Sequence, residues 1–434
     1  MKIWLRVFAG LLMMLTALFL VSCTGAPGCP QATFGGTACT PGGGTTFGPP
    51  PGGGGGNPTA TAFVYAVDQQ GGTSGQGANG TIDGYDLSVS GSSFAPLSGF
   101  TAPSIPANEA GEAMVVVNKK FVYAVFEVSG QLYGWSLDGS SGDLTTLTGF
   151  PMSVILNLPV GVTGQYQMTS DPGGNFLFIS SSGGNAIFVY AINSTTGALT
   201  AVPGSPFSTV GAGIEPGNIA TDGLGRFLYV CVASGGGGTD FVGYTIGANG
   251  ALTLIPGGLF TANVWELQGD ATGRYLVGTS GNSIGSTGRD DNHLYVYSIN
   301  QTTGVATAVG TPVSTTYSPL RIAMQPPSSN GEYVYTFGIN DTNTGFNPIE
   351  GYQLNTSTGA LTAIMGSPFS NIFLGQWGQF DQSGANLVVY ADVLTQSGYV
   401  AQLGALSVDS NGALTQPISP VTLVTPGWWV VTDP

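Results

Sequence analysis

The sequence predicts an all-β protein, a seven-bladed β-propeller of four-stranded blades. Two observations carry this. One run recurs seven times along the chain: a Phe-Leu-Tyr-Val-like strand, a Val-Tyr-Ala-Ile-like strand, then Gly-Ala-Leu-Thr leading into Gly-Ser-Pro-Phe. A period of roughly 50 residues holding several short strands is that of propeller blades. Composition agrees, since 71 of 434 residues are glycine and only 7% are charged, which suits tight turns between strands better than helices.

The elements follow in order. Second strands are centred at Tyr65, Tyr123, Phe178, Tyr229, Val277, Tyr335 and Val389. Third strands follow over 82–87, 132–137, 187–192, 294–299, 349–354 and 402–408, with the apolar alternation of sheets packed face to face. Leu-Thr pairs mark the fourth strand at Leu144, Leu199, Leu252, Leu361 and Leu414, and the repeated Thr fits a half-exposed outer edge. Asn249-Gly250, Asn411-Gly412, Thr196-Gly197, Thr303-Gly304 and Thr358-Gly359 are hairpin turns. First strands run into a turn Asp or its stand-in, as in Ile219 to Asp222 and Leu267 to Asp270. The first unit lacks this strand, and Trp428-Trp429-Val430-Val431-Thr432-Asp433 at the far end supplies one. The C-terminal strand is therefore expected to complete the N-terminal blade and close the ring, leaving only short protected edges.

Ahead of the propeller, expected over 60–434, stand two further segments. Residues 1–22 carry Lys2 and Arg6 and then an apolar run from Val7 to Val21, the pattern of a secretion signal. Leu20-Val21-Ser22-Cys23 resembles the bacterial lipobox, which implies lipidation of Cys23 and anchoring in a membrane. Thr24, in the place of an aspartate, implies sorting to the outer membrane of a Gram-negative bacterium. Residues 23–59 read as a disordered linker, almost wholly Gly, Pro and Thr from Thr40 to Pro58, too poor in apolar residues to bury a core. A flexible tether of about 18 residues reaches roughly 25 Å. Cys29 and Cys39 either close a small disulfide loop or remain two thiols, and Cys231, next to a strand, reads as an apolar filler.

A net charge of −15 with one histidine argues against nucleic acid or an anionic membrane surface as a direct partner. No cofactor is expected. Zinc lacks a His or Cys cluster. Asp290, Asp291, Asp341 and Asn343 lie in polar stretches without the spacing of a calcium loop, so no metal is expected. Gly281-Asn282-Ser283-Ile284-Gly285 matches G-x-S-x-G, but the strand-to-helix elbow that motif needs is missing, and a Ser283 and His293 hydrolase is set aside.

The seven units, with Phe-Leu-Tyr-Val, Val-Tyr-Ala-Ile and Gly-Ala-Leu-Thr-x-x-x-Gly-Ser-Pro-Phe, resemble the seven-bladed lactonase-like propellers, the group containing the propeller-type 6-phosphogluconolactonases. The resemblance implies a sugar-lactone hydrolase with polar groups, typically including histidine and arginine, in a central funnel. The chain departs from this: its one histidine, His293, begins a third strand, and most first strands carry no cation. Aligned on the turn Asp, the first strands place Met114, Gln167, Asn218, Glu266, Arg321, Trp377 and Trp429 at one level. Arg321, Glu266 and Glu112 are the candidate catalytic residues, with Arg321 as an anion clamp and Glu266 as a base or ligand anchor, or alternatively as an ion pair tying two blades. Trp265, Trp377, Trp428 and Trp429 form either a sugar-stacking rim or packing between blades, and Asn218 and Gln167 complete the candidate ligand set. The expectation is an extracytoplasmic, membrane-anchored monomer that binds a small polyol, glycan or protein through its funnel or loop face. The alternative is a carbohydrate-lactone hydrolase.

Overall fold

The computed structural model describes residues 60–68, 82–88, 93–105, 111–126, 129–153, 166–209, 215–234, 238–260, 262–280, 292–326, 332–338, 346–381, 383–395, 398–423 and 427–432. They form seven antiparallel sheets, the blades of an all-β seven-bladed propeller. Second strands lie where the repeat puts them, among them Phe121–Phe126, Phe227–Ser234 and Glu332–Phe337. The inner strands of blades 2 to 7 are Gly111–Val117, Tyr166–Ser170, Glu215–Thr221, Glu266–Gly269, Arg321–Met324 and Trp377–Phe380, each lying beside the next. Outer strands are short in every blade but the fourth, where Leu252–Phe260 runs on for nine residues, and Thr145, Thr200, Thr253, Thr362 and Thr415 on them are all exposed.

The Gly of Gly-Ala-Leu-Thr is where one blade docks on another. Gly412 in blade 7 has φ +81°, a left-handed conformation open to glycine at little cost. A Cβ there would lie 2.8 Å from the Tyr333 ring of blade 6, so the missing side chain is also the seat for that ring. The Tyr335 hydroxyl of blade 6 then donates to the Gly412 carbonyl at 2.7 Å. The arrangement repeats: Tyr65 donates to Gly142, Tyr123 to Gly197 and Tyr229 to Gly304, at 2.7 to 2.9 Å, always from one blade to the next. Blades 3, 5 and 7 have Phe178, Val277 and Val388 at this position, and none carries a hydroxyl. Burial holds the Tyr123, Tyr229 and Tyr335 phenols above their usual range, so they stay protonated donors.

Gly-Ser-Pro-Phe has an equally structural use. The Ser205 hydroxyl accepts the Val189 N–H, and the Ser367 hydroxyl the Gly351 N–H, both at 2.9 Å, satisfying third-strand groups beyond the short outer strand. Phe369 lies over Gly351, where a Cβ would come within 3.1 Å of its ring. Inner and second strands are joined by a turn around a buried Asp. In blade 4, Asp222 Oδ1 accepts the N–H groups of Arg226 at 2.6 Å and Phe227 at 2.9 Å, and Asp171 and Asp270 do the same in blades 3 and 5. Cys231 is buried in the apolar cluster between blades 4 and 5, as a filler should be.

Two substitutions separate the parts of the docking joint. Tyr335→Phe, which leaves the Gly412 carbonyl without its buried donor, is expected to cost about 1–2 kcal/mol in denaturant unfolding. Gly412→Ala adds left-handed strain and a clash with Tyr333, so about 2–4 kcal/mol is expected. A loss for Tyr335→Phe with none for Gly412→Ala would show that the hydroxyl, and not the seat, holds the joint.

Candidate functional site

Inner and second strands meet at two ends. At the turn end sit the buried Asp residues, and at the other, the mouth, inner strands begin and second strands finish. Glu266, Arg321 and Trp377 open three consecutive inner strands, pairing with Thr279, Phe337 and Tyr390. The levelling by turn Asp therefore places these three at the same end of neighbouring blades.

Arg321 Nη1 donates to Glu266 Oε2 at 3.2 Å across the joint between blades 5 and 6. The pair is asymmetric. The Glu266 side chain is only 5% exposed and that of Arg321 30%, so the acid is sealed beneath a base that reaches solvent. Burial raises the Glu266 carboxyl above its usual range, while the charge and hydrogen bond of Arg321 oppose the rise. The charge of Glu266 in turn adds to the burial that pushes up the Cys231 thiol on blade 4. A guanidinium has five N–H donors in a planar fork, and the ion pair takes only the Nη1 side, leaving donors for an anion or a ring of hydroxyls at the mouth.

The remaining candidates fall into distinct roles. Trp265 precedes Glu266, and its N–H extends the inner strand by bonding the Thr279 carbonyl at 2.7 Å. Successive residues on a strand point to opposite sides, so the partner of the buried Glu266 is outward, and Trp265 is 37% exposed. Trp377 is half-buried. Asn218 is spent on structure: at a register shift in blade 4 its Oδ1 accepts the Leu267 N–H of blade 5 at 2.9 Å. Gln167 is half-buried in the ladder opposite Ser180, and its side chain makes no hydrogen bond among the described residues. Glu112 is buried at a register shift in blade 2 and is not a partner of Arg321. Met114 belongs to an apolar cluster between blades 1 and 2. The side chains of Trp428 and Trp429 lie outside the described residues, as do Cys23, Cys29, Cys39, Ser283, Asp290, Asp291, Asp341 and Asn343. His293 begins a third strand, with Nε2 3.3 Å from the Ser314 hydroxyl on the outer side of blade 5. Among the described residues no group of three His, Cys, Asp or Glu could hold a metal ion.

Three polar residues at the joint between blades 5 and 6 had not been singled out. Gln268 uses both ends of its amide there, donating to the Ile322 carbonyl at 2.9 Å and accepting the Met324 N–H at 3.0 Å. Glu350 accepts the N–H groups of Thr316 and Tyr317, both at 2.8 Å, and the Tyr352 hydroxyl, fixing the crossover into blade 6. Glu332 reaches the turn of blade 5. The sequence held one signal for Glu332: blade 6 has Gln325 where its neighbours have the turn Asp.

Comparison with known proteins agrees with this architecture. The family described as Lactonase, 7-bladed beta-propeller matches residues 112–241. A candidate 6-phosphogluconolactonase from Bacteroides fragilis superimposes with a TM-score of 0.60 at 16% identity, over 87% of this chain and 98% of its own. A protein from Lactobacillus plantarum gives 0.59, 16%, 85% and 98%. No curated protein matches the sequence. Identities this low speak for the fold alone. The family match runs from blade 2 into the third strand of blade 4, and over that stretch the chain is similar to the lactonase propellers, within a fold that is an all-β seven-bladed propeller.

Proposed function

We propose that this is a binding propeller of the extracytoplasmic space, taking a small polyol or glycan carrying an anionic group, or a protein segment of similar chemistry, at the mouth of blades 5 to 7. The observation that carries the reading is Arg321, fixed on one side by Glu266 and open on the other. Its fork suits a carboxylate, the exposed Trp265 offers an apolar face for a sugar ring, and Trp377 opens the next inner strand. Tethering through Cys23 and the linker over 23–59 to an outer membrane, with a monomeric propeller over 60–434, belongs to the same reading and rests on the sequence pattern of the N-terminus.

A second reading is lactone hydrolysis, favoured by the family match. It would use Arg321 to polarise the lactone and Glu266, with its raised proton affinity, for proton transfer. A phosphosugar would call for several cations, and Arg321 is the sole Lys or Arg on the described inner strands.

The proposed architecture includes closure of the ring by the C-terminal strand. Supporting it, Gly427–Thr432 runs antiparallel to Ala60–Asp68, with Thr432 opposite Val64 and Trp429 opposite Val67, and lies beside the inner strands of blades 7 and 2.

Titration with a panel of sugar acids, neutral glycans and lactones tests the binding reading. A uronic or aldonic acid is expected to bind, and Arg321→Ala to weaken it roughly ten- to hundredfold with a small change in melting temperature. A large loss of stability with unchanged affinity would make the ion pair a tie between blades. Turnover of a lactone that Arg321→Ala abolishes would instead establish the enzyme. Deleting residues 427–434 is expected to abolish cooperative unfolding, and an unchanged melt would refute the closure.

A further inference from the structure

Between blades 5 and 6 the repeat changes its chemistry. In blades 3, 4 and 7 the turn Asp is met by a donor four or five residues on. Asn175 bonds Asp171 at 2.9 Å, Arg226 bonds Asp222 at 2.8 Å, and Asn386 bonds Asp381 at 2.7 Å. Blade 6 has Gln325 in the acid's place and Glu332 in the donor's. Gln325 turns forward and donates to the Gly384 carbonyl of blade 7 at 2.6 Å. Glu332 turns back to blade 5, where the Ala271 N–H is shared between its Oε1 at 3.1 Å and Oε2 at 3.4 Å.

That N–H directly follows Asp270, whose carboxylate is fully engaged. Its Oδ1 accepts the N–H groups of Arg274 and Tyr275, and its Oδ2 accepts the Thr272 N–H and hydroxyl. Glu332 and Asp270 are 3% and 0% exposed, so two acids are sealed in one joint. No cation compensates Glu332. Arg226 reaches the same turn from blade 4, giving Nη2 to the Gly273 carbonyl at 2.9 Å, but is paired with Asp222. Arg274, on the turn itself, is exposed, and Glu332 has no ion pair among the described residues.

We propose that the joint between blades 5 and 6 is a proton-dependent latch, held while Glu332 is protonated and pushed open when Glu332 and Asp270 are both charged. The joint is suited to this because Val277, like Phe178 and Val388 in blades 3 and 7, carries no hydroxyl. Beside the apolar cluster around Val277 and Val334, the polar bonds crossing it are therefore those of Gln268, Thr279, the Arg321–Glu266 pair and Glu332. Burial and the neighbouring Asp270 raise the Glu332 carboxyl from its ordinary 4.5 to about 8. Between those values the folded chain keeps a proton that the unfolded chain has released. Folding then takes up a proton, and stability falls as pH rises through the window and levels off above it.

The test is denaturant unfolding of the full chain and of Glu332→Gln from pH 5 to pH 9. Up to about pH 8 the wild-type unfolding constant is expected to rise faster than the variant's, by up to about tenfold per pH unit, with parallel behaviour beyond. Curves parallel throughout would overturn the proposal. The readout is the difference in slope and not absolute stability, so Glu332→Ala serves equally should the Gln variant fail to fold.

Discussion

The contact on which the rest of the molecule depends is between an aromatic pair on one blade and an absent side chain on the next. A glycine that must adopt a left-handed turn leaves a gap, an aromatic ring from the preceding blade fills it, and a tyrosine hydroxyl two residues on closes over its carbonyl. One position thus meets three demands at once: hairpin geometry, packing at the blade interface and satisfaction of a buried acceptor. This is why Gly-Ala-Leu-Thr recurs with so little variation, and why Phe-x-Tyr recurs with it in the second strand. Both motifs are accounted for by packing and backbone satisfaction.

With packing assigned to the outer three strands, the inner strands carry the polar residues, and most of those are spent in joining blades. Asn218 bonds the next inner strand, Gln268 bonds two peptide groups, and the Thr221 hydroxyl donates to the Ser170 carbonyl of blade 3. Such bonds avoid the desolvation cost of unpaired polar groups buried at the joints between blades. They also explain why the candidate site is small. At the mouth, Arg321 retains donors beyond those its own fold consumes.

Much of the fold was legible because repeats average out local ambiguity. The second strands, the hairpin glycines and the outer Leu-Thr edges all lie where the pattern puts them. Aligning inner strands on the turn Asp correctly brought Glu266 and Arg321 together, since the distance from that turn fixes height in the blade. The direction of side chains on the inner strands was not legible. Asn218 sits at a register shift beside Pro216 and Gly217, and such a shift turns side chains in ways that spacing does not encode. Glu332 was hidden for another reason: its partner is the backbone N–H of Ala271, which has no signature in the sequence.

A joint made from a missing side chain and a backbone carbonyl carries no mark of which blade supplied it. At this joint every glycine turn makes the same demand on the unit before it, so a copied or exchanged blade would meet its neighbour's periphery unchanged. The inner-strand bonds are the opposite, each written for one neighbour, as Gln268 is for blade 6. The propeller therefore combines interchangeable fastenings at its periphery with individual ones at its axis, and the order of its blades is recorded only at the axis.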